Sequence, residues 1–354
     1  MKSGKRVTIT EVAKESGTSI ATVSRVLNDS DYPVSRELRE RIWAAVRKLN
    51  YTPGNSTINV QRNCARDIGV LVPNISNPFY AQALLGIESV LSEKGYNILL
   101  FNTLRSIERE RKCLQILRER QVRGAIISTV EDGAEDLAQY IEQGMQFVLL
   151  DQEAPSLNCP SIHFDSSHGA KLAMEYLFRK GHSQIAFATT PMVRATRIDT
   201  YRGYCESLAA ANLPYRADFI FQTGEEPGSE SRNYELDAGA GLARQFLDSK
   251  CSATAILCVN DMLAIGMINA LTEHGVRVPE DVSVVGFDDI PFANVCNPGL
   301  TTVHYPIYES GKLAAMLLLE NMVSGNRTQM GLSMNLMPAF AERQTVRDIT
   351  RTDN

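Results

Sequence analysis

The stretch VTITEVAKESGTSIATVSRVLN, residues 7–28, decides the fold of the amino-terminal part of the chain. Thr8 stands three residues before Glu11, which is the spacing of a capping box and predicts the start of a first helix. Gly17 predicts the end of that helix, because glycine readily adopts the left-handed conformation of a tight turn. Ser19 is placed to cap a second helix. The stretch therefore predicts a helix, a short turn and a second helix.

The second helix has two chemically different faces. Val23, Val26 and Leu27 recur on one side and predict burial. The opposite side is small or hydroxyl-bearing, with one charge: Ile20, Ala21, Thr22, Ser24 and Arg25. Such a helix fits a DNA major groove, where small side chains allow close approach and arginine donates to guanine. A plain three-helix bundle remains the alternative, because caps and apolar spacing occur there too.

A third helix and a charge asymmetry complete this amino-terminal head. Ser35 is placed to cap a helix whose apolar residues recur at helical spacing: Leu38, Ile42, Val46 and Leu49. Residues 1–62 contain 11 Lys+Arg and 6 Asp+Glu, whereas the remaining residues contain 25 and 35. The head is therefore basic and the body acidic, which indicates a polyanionic partner for the head alone.

Composition excludes several other classes of protein. The seven cysteines form no CxxC pattern, and no Cys/His cluster with metal-ligand spacing occurs, so we expect a reducing, cytoplasmic setting and no metal. No apolar run is long enough for a membrane span, and no signal segment is recognised. We therefore expect no membrane partner.

The resemblance to a known family is carried by two long motifs. VTITEVAKESGTSIATVSRVLN and the following VSRELRERIWAAVRKLNYTP resemble the head of the lactose/galactose-repressor (LacI/GalR) family of bacterial transcription regulators. The similarity continues to about residue 346. It implies a ligand-responsive regulator, most simply a repressor of a carbohydrate-utilisation operon. The residues expected to bind DNA are Thr8, Ser19, Ile20, Ala21, Thr22, Ser24, Arg25, Asn28 and Val60. The loop before Ser35 is one residue longer than is usual in the family.

The linker departs from the family pattern. Pro53 and Gly54 end the third helix, and residues 55–62 are poor helix formers. The resemblance implies a hinge helix that folds on operator DNA and wedges a leucine into the minor groove, a position that falls here on Val60. We therefore expect weaker ordering of the hinge or a shallower kink. An ordinary flexible tether is the alternative.

The body alternates apolar stretches with segments of helical length. DIGVLV, YNILLF, GAIIS and QFVLL are followed by SIHF, QIAFA, TAILC and VSVVG. This alternation predicts βαβ units in two parallel sheets. The expected fold class is α/β: a small all-α helix-turn-helix head followed by a two-lobed domain with parallel sheets. The resemblance implies a periplasmic-binding-protein-like (type I) body that the chain crosses three times, with an effector cleft between its lobes. The expected parts are a head (1–52), a hinge linker (53–66), a body (67–349) and a tail (350–354).

The effector cleft is expected at the carboxyl ends of the strands, where ligands bind in such sheets. VPNISNPFYAQ places polar and aromatic side chains after the first strand, and LLDQ does so after the fourth. The resemblance implies effector-contact positions at Arg194, Thr196 and Thr200, with Arg197 one turn away. Its sharpest match is Asp261 in CVNDMLAIG. The residues expected to bind the effector are Asn77, Phe79, Tyr80, Asp151, Gln152, Arg194, Thr196 and Asp261. Helix capping and core packing are the alternative roles for the segment that contains Tyr80, and helix capping is the alternative for Asp261. Asp288 and Asp289 rank lower.

The chemistry of these residues indicates a polar ligand with hydroxyl groups. We expect a sugar or sugar derivative, with a purine or nucleoside, or a phosphoprotein corepressor, as alternatives. The tail carries no leucine heptad, so we expect a homodimer that reads palindromic operator DNA.

An enzyme is the competing class, because doubly wound sheets host many chemistries. The sequence contains no GxGxxG, GxxxxGK[ST] or GxSxG motif, and its five histidines are scattered. His163 and His168 are therefore expected to pack rather than to act as an acid–base pair. We expect no catalytic residues and no cofactor.

Overall fold

The computed structural model describes residues 7–27, 33–49, 51, 66–128, 134–153, 157, 159–224, 233–324 and 331–350. They form two compact units, one ending at residue 66 and the other beginning at residue 67. Within these ranges, no helix combines the length and the hydropathy required to cross a membrane.

The head consists of the three helices α1 (Ile9–Ser16), α2 (Ile20–Leu27) and α3 (Arg36–Lys48). The predicted capping box is confirmed, because the backbone N–H of Thr8 donates to the Glu11 carboxylate over 2.7 Å. Gly17 ends α1 in the left-handed conformation, with φ 63°. The Ser19 hydroxyl accepts the N–H of Thr22 over 3.1 Å at the start of α2. These local signals fix the angle between the first two helices.

The core of the head comes from all three helices. Val12, Val23 and Ile42 are fully buried, one from each helix. Because α2 turns its valines inward, its other face is left for a partner.

The body contains two six-stranded sheets. The first sheet has the order β11-β5-β4-β3-β1-β2, and each of its strand pairs is parallel. Its strands are β1 (Asp67–Val72), β2 (Asn97–Asn102), β3 (Gly124–Ile127), β4 (Gln146–Leu150), β5 (Ser161–Phe164) and β11 (Ser333–Leu336). We call this sheet, with the helices packed on it, lobe 1.

The second sheet has the order β12-β10-β9-β8-β6-β7 and is parallel except for the antiparallel edge strand β12. Its strands are β6 (Ile185–Thr189), β7 (Ile220–Gln222), β8 (Ala255–Cys258), β9 (Ser283–Asp288), β10 (Thr301–His304) and β12 (Ala339–Ala341). This sheet and its helices form lobe 2.

Helices cover both sheets. Lobe 1 carries α4 (Pro78–Glu93), α5 (Ile107–Glu119), α6 (Ala134–Glu142) and α12 (Ile307–Ser324). Lobe 2 carries α7 (Ser166–Arg179), α8 (Ala195–Ala210), α9 (Tyr234–Asp248), α10 (Asp261–Glu273) and α11 (Pro291–Val295), with a short 3₁₀ turn at Ala217–Phe219.

The chain passes between the lobes three times, as the family resemblance implies. It leaves lobe 1 after β5, returns after β10 and crosses again between β11 and β12. Each crossing joins the carboxyl end of one sheet to the other lobe, so those ends face each other. Parallel strands then direct their loops into the space between the lobes.

Candidate functional site

The exposed face of α2 carries the residues predicted to contact DNA. Ile20 is 47% exposed, Ala21 and Arg25 are also exposed, and Thr22 and Ser24 are partly buried. Thr8 and Ser19 lie at the amino-terminal ends of α1 and α2, and both are exposed. Two further predicted contacts, Asn28 and Val60, lie outside the described residues, as does the expected linker up to residue 65.

The chain's single tryptophan, Trp43, lies on α3 and is 39% exposed. No sequence motif predicts a role for this residue. Its exposure in the head makes it a natural fluorescence reporter for a partner that docks there.

A cavity of about 550 Å³, part of it open to solvent, lies between the lobes of the body. Six of the eight residues predicted to bind an effector line it: Asn77, Phe79, Tyr80, Asp151, Arg194 and Thr196. They lie in the loops after β1 and β4 of lobe 1 and after β6 of lobe 2, or in the first turns of the helices that follow β1 and β6. The rule of strand carboxyl ends therefore locates the cavity. We call this space the cleft.

Local structure fixes the lobe 1 side of the cleft. The Asn77 side chain caps α4 by accepting the N–H of Phe79 over 3.0 Å. Tyr80 is 5% exposed and packs edge-on against Phe79, with ring centroids 5.1 Å apart. Helix capping and core packing, the roles weighed against ligand binding for this segment, are therefore both present beside the cleft.

Arg194 joins the two lobes across the cleft. It stands at the amino-terminal end of α8 in lobe 2. Its guanidinium donates to the Tyr80 hydroxyl over 2.9 Å and to the Ser128 hydroxyl over 3.3 Å, and it lies 3.5 Å from the Asp151 carboxylate. These three partners all belong to lobe 1, so Arg194 makes its contacts only when the lobes are close.

Asp151 occupies an unusual backbone and electrostatic position. It follows β4 with φ 61°, a left-handed conformation that non-glycine residues adopt mainly where the surroundings hold them. Burial raises the pKa of its carboxyl to about 6, although Arg194 and Arg197 act in the opposite direction. This carboxyl is therefore placed to gain or lose a proton near neutral pH.

Asp261 does not line the cleft, contrary to the contact expected from its motif. It is fully buried; its Oδ2 accepts the N–H of Ile290 over 2.9 Å, and its Oδ1 accepts the Thr302 hydroxyl over 2.5 Å. Its neighbour Asn260 lines the cleft instead and caps α10 by accepting the N–H of Leu263. The helix begins at Asp261, one residue earlier than the capping alternative for Asp261 assumes. That shift turns the Asp261 side chain under β9 and β10.

Gln152 is also absent from the cleft wall. It follows Asp151 in the chain and is partly buried.

The cleft wall contains nine described residues besides the six that were predicted to bind the effector. They are Ser166, Arg197, Thr200, Glu235, Val259, Asn260, Phe287, Asp288 and Tyr305. Asn260 lies just after β8, a position that the rule of strand ends would have included, whereas Glu235 lies in the first turn of α9, far along the chain from the end of β7. Tyr305 was hidden because it follows β10 where the chain crosses between lobes.

Asp288 ends β9 at the cleft wall with φ 111° and is 8% exposed. Burial raises the pKa of its carboxyl well above the ordinary value, and the nearby carboxyls of Asp261, Asp151 and Glu235 raise it further. The next residue, Asp289, is held by Arg343 over 2.5 Å and by His304 over 2.9 Å. The strained turn thus separates a cleft-facing aspartate from a structural one.

Comparisons with known proteins agree with both units. Residues 8–54 match the family described as bacterial regulatory proteins, lacI family, and residues 174–346 match a periplasmic binding protein-like domain. The HTH-type transcriptional repressor PurR of Vibrio cholerae is 31% identical over 347 residues, covering 98% of this chain and 99% of the relative. The ribose operon repressor of Halalkalibacterium halodurans is 34% identical over 318 residues, covering 89% of this chain and 90% of the relative.

The chain is also similar in structure to solved regulators of the same family. The Lac repressor dimer bound to operator and the anti-inducer ONPF superposes with a TM-score of 0.77 at 27% identity, covering 97% of this chain and all of that one. A LacI family regulator from Enterococcus faecium with bound ribose gives a TM-score of 0.69 at 28% identity, covering 80% of this chain and 99% of that one.

A helix-turn-helix head joined to a two-lobed ligand-binding body defines a DNA-binding transcriptional regulator. The chain belongs to the lacI family of bacterial regulatory proteins. Its relatives are transcriptional repressors rather than enzymes, in agreement with the expectation from its motifs.

Proposed function

We propose that the protein is a repressor of a carbohydrate-utilisation operon whose effector is an uncharged sugar of about monosaccharide size. The observation that carries this proposal is the convergence of carboxyl, guanidinium, hydroxyl and aromatic groups from both lobes on one cleft. A ligand bridging those groups stabilises the closed arrangement of the lobes, because it binds that arrangement more tightly.

The charges of the cleft favour an uncharged ligand. Its wall contains three carboxyl groups, from Asp151, Glu235 and Asp288, and two guanidinium groups, from Arg194 and Arg197. With the guanidinium of Arg105, which contacts Glu235 beside the wall, the charges at neutral pH sum to zero with Asp288 ionised and to +1 with Asp288 protonated. With Asp288 ionised, the cleft has no net positive charge to attract a sugar phosphate or a sugar acid.

The hydrogen-bonding groups suit a polyol. Carboxylates accept hydrogen bonds from ligand hydroxyls, and the Asn260 amide both donates and accepts. Phe79, Phe287 and Tyr305 supply ring surfaces against which a sugar ring packs.

Two similar proteins support a sugar as the ligand, and others support a purine. The ribose operon repressor and the ribose-bound regulator favour a sugar. The purine alternative rests on the similarity to PurR repressors and on the aromatic surfaces, which stack equally well on a base. A phosphoprotein corepressor is the remaining alternative.

Titration calorimetry with D-ribose, D-glucose, hypoxanthine and ribose 5-phosphate separates these possibilities. We expect heat of binding from a neutral sugar and none from hypoxanthine or the phosphate. The variant Asp288→Asn should weaken sugar binding about tenfold or more, because a hydrogen bond to a charged or strongly polarised group contributes about 1.5–3 kcal/mol. Asp248→Asn, an exposed aspartate at the end of α9, is the matched control. Binding of hypoxanthine alone would reassign the protein to purine regulation.

The DNA side of the proposal places α2 in the major groove of a palindromic operator. Ile20 and Ala21 would contact base edges and Arg25 would donate to guanine, while Thr8 and Ser19 would contact phosphates. A homodimer in the cytoplasm would present two heads to half-sites one helical turn apart. The Lac repressor dimer bound to its operator supports this arrangement.

A further inference from the structure

A buried ion pair joins the lobes beside the cleft. Arg105, in the loop after β2 of lobe 1, donates through Nη2 to Oε1 of Glu235, in the first turn of α9 of lobe 2. The two side chains are only 11% and 5% exposed. Glu235 lines the cleft, so this pair and the ligand site share a carboxylate.

The surroundings hold both partners in place. Leu104 and Arg105 adopt left-handed backbone conformations, with φ 50° and 58°, and the N–H of Arg105 donates to the carbonyl of Pro73 over 3.2 Å. Asn74 donates to the second oxygen of Glu235 over 3.2 Å. The guanidinium of Arg105 also lies 4.8 Å from the centre of the Tyr234 ring. Two consecutive strained residues persist only where the structure specifies their conformation, and here that conformation presents Arg105 to the other lobe.

We propose that Arg105 is a positioning residue of the cleft: it orients and neutralises Glu235 across the lobes, so that lobe closure and the preference for an uncharged effector depend on one ion pair. This rests on the proposed function only in that the cleft binds the effector.

Loss of Arg105 would leave an unpaired buried charge at Glu235. With Arg105 removed, closure of the lobes would bury the Glu235 carboxylate against the Asn74 amide without a cation, which is strongly unfavourable. Removal of both charges destabilises the closed lobes far less, because no uncompensated charge remains. An unpaired carboxylate in the cleft would instead favour a ligand that brings its own cation, such as an amino sugar.

The first test needs no ligand. Melting temperatures are measured for the full-length protein and for Arg105→Met, Glu235→Gln and the double variant. We expect Arg105→Met to lower the melting temperature and the added Glu235→Gln to restore part of it, since the two effects are coupled. The control is Arg120→Met, at the exposed C-cap of α5, which should leave the melting temperature unchanged. Simple addition of the two single effects would overturn the ion-pair role.

The second test reads selectivity, which a purely structural role would leave unchanged. D-glucose and D-glucosamine differ in one substituent, and calorimetry at slightly acidic pH keeps the amine protonated. We expect Arg105→Met to shift the affinity ratio toward glucosamine by about tenfold, and Arg105→Lys to keep the ratio of the unaltered protein. An unchanged ratio in Arg105→Met would contradict the selectivity role. If no sugar of any kind binds the unaltered protein, the proposed function fails. The melting temperatures then test by themselves whether Arg105 and Glu235 form a stabilising ion pair.

Discussion

Asn260 and Asp261 show how one position along a helix decides a residue's role. Asn260 caps α10 and faces the cleft, while Asp261 is the first helical residue and points into the core. Both polar groups follow the same apolar strand, so the sequence locates the site to within one residue but does not choose between them. The choice depends on Thr302 and Ile290, which lie far along the chain and reach Asp261 only in the folded lobe.

The central residue of the proposed DNA-reading face is Arg25. We expect Arg25→Ala to weaken binding to a selected operator by about 1–3 kcal/mol, because a guanidinium bidentate to guanine contributes that much discrimination. Binding to random DNA should change much less. Fluorescence anisotropy of labelled duplexes, selected by the protein itself from a random library, measures both affinities.

The matched control is Lys14→Ala, an exposed basic residue on α1. It should weaken specific and random binding alike, since a positive charge on the surface of the head attracts the DNA backbone without regard to sequence. Equal losses for both variants on both DNAs would remove Arg25 from the reading face.

At the scale of elements, pairs of helices in the body approach so closely that backbone touches backbone. A Cβ at Gly239 of α9 would lie 2.1 Å from the carbonyl oxygen of Leu263 in α10, and a Cβ at Gly266 would lie 2.2 Å from that of Leu236. Glycine at these two positions is required by the approach of the helices. By contrast, a Cβ at Gly241, two residues along α9, would meet nothing within 4 Å.

This contrast gives a prediction within one helix. Gly239→Ala should lower the free energy of unfolding by about 1–3 kcal/mol or more, because the added methyl group overpacks the contact. Gly241→Ala should leave it unchanged or raise it by up to about 1 kcal/mol, since alanine is the better helix former. Urea denaturation followed by circular dichroism compares the two. A similar loss of stability in both variants would contradict the role assigned to the close contact at Gly239.

Local elements were therefore predictable and contacts between distant elements were not. The capping box at Thr8, the turn at Gly17 and the cap at Ser35 each depend on neighbours three or four residues away, which the sequence displays directly. The carboxyl ends of the predicted strands, which the sequence also displays directly, located the cleft. The pairing of Arg105 with Glu235 depends on how two lobes meet, and no local pattern specifies that.

At the scale of the whole molecule, buried carboxyls make stability depend on pH. Burial raises the pKa of Asp151 to about 6 and that of Asp261 to about 8. The folded protein therefore holds these protons more tightly than the unfolded chain does. Their contribution to stability is fully present below the ordinary aspartate pKa and is lost as pH rises through about 6 and about 8.

We expect Asp261→Asn to flatten the fall in melting temperature between about pH 6 and pH 8. The amide cannot ionise, and its oxygen can still accept the N–H of Ile290. Calorimetry across this pH range measures the slope, and Asp248→Asn, with its exposed side chain, should keep the slope of the unaltered protein. An unaltered slope in Asp261→Asn would show that this carboxyl does not titrate in that range.

In the proposed function, a DNA-reading head is joined to a cleft whose closure a ligand stabilises. Arg194 and Arg105 form their hydrogen bonds to the opposite lobe only when the lobes are close. A ligand that favours closure therefore shifts the population of the body toward the closed arrangement. If the two lobe arrangements differ in how they hold the heads, operator affinity must change with ligand, and ligand affinity with operator, by the same factor.

The most direct measurement is therefore the operator affinity of the intact protein with and without a saturating sugar identified by calorimetry. Anisotropy of a labelled operator, with Trp43 fluorescence as a second reporter in the head, gives both values. The account predicts a change of about 5-fold to 150-fold, the usual range of allosteric coupling, and its loss in Asp288→Asn. An operator affinity that stays the same when the cleft is saturated would contradict the central claim that ligand binding controls DNA binding.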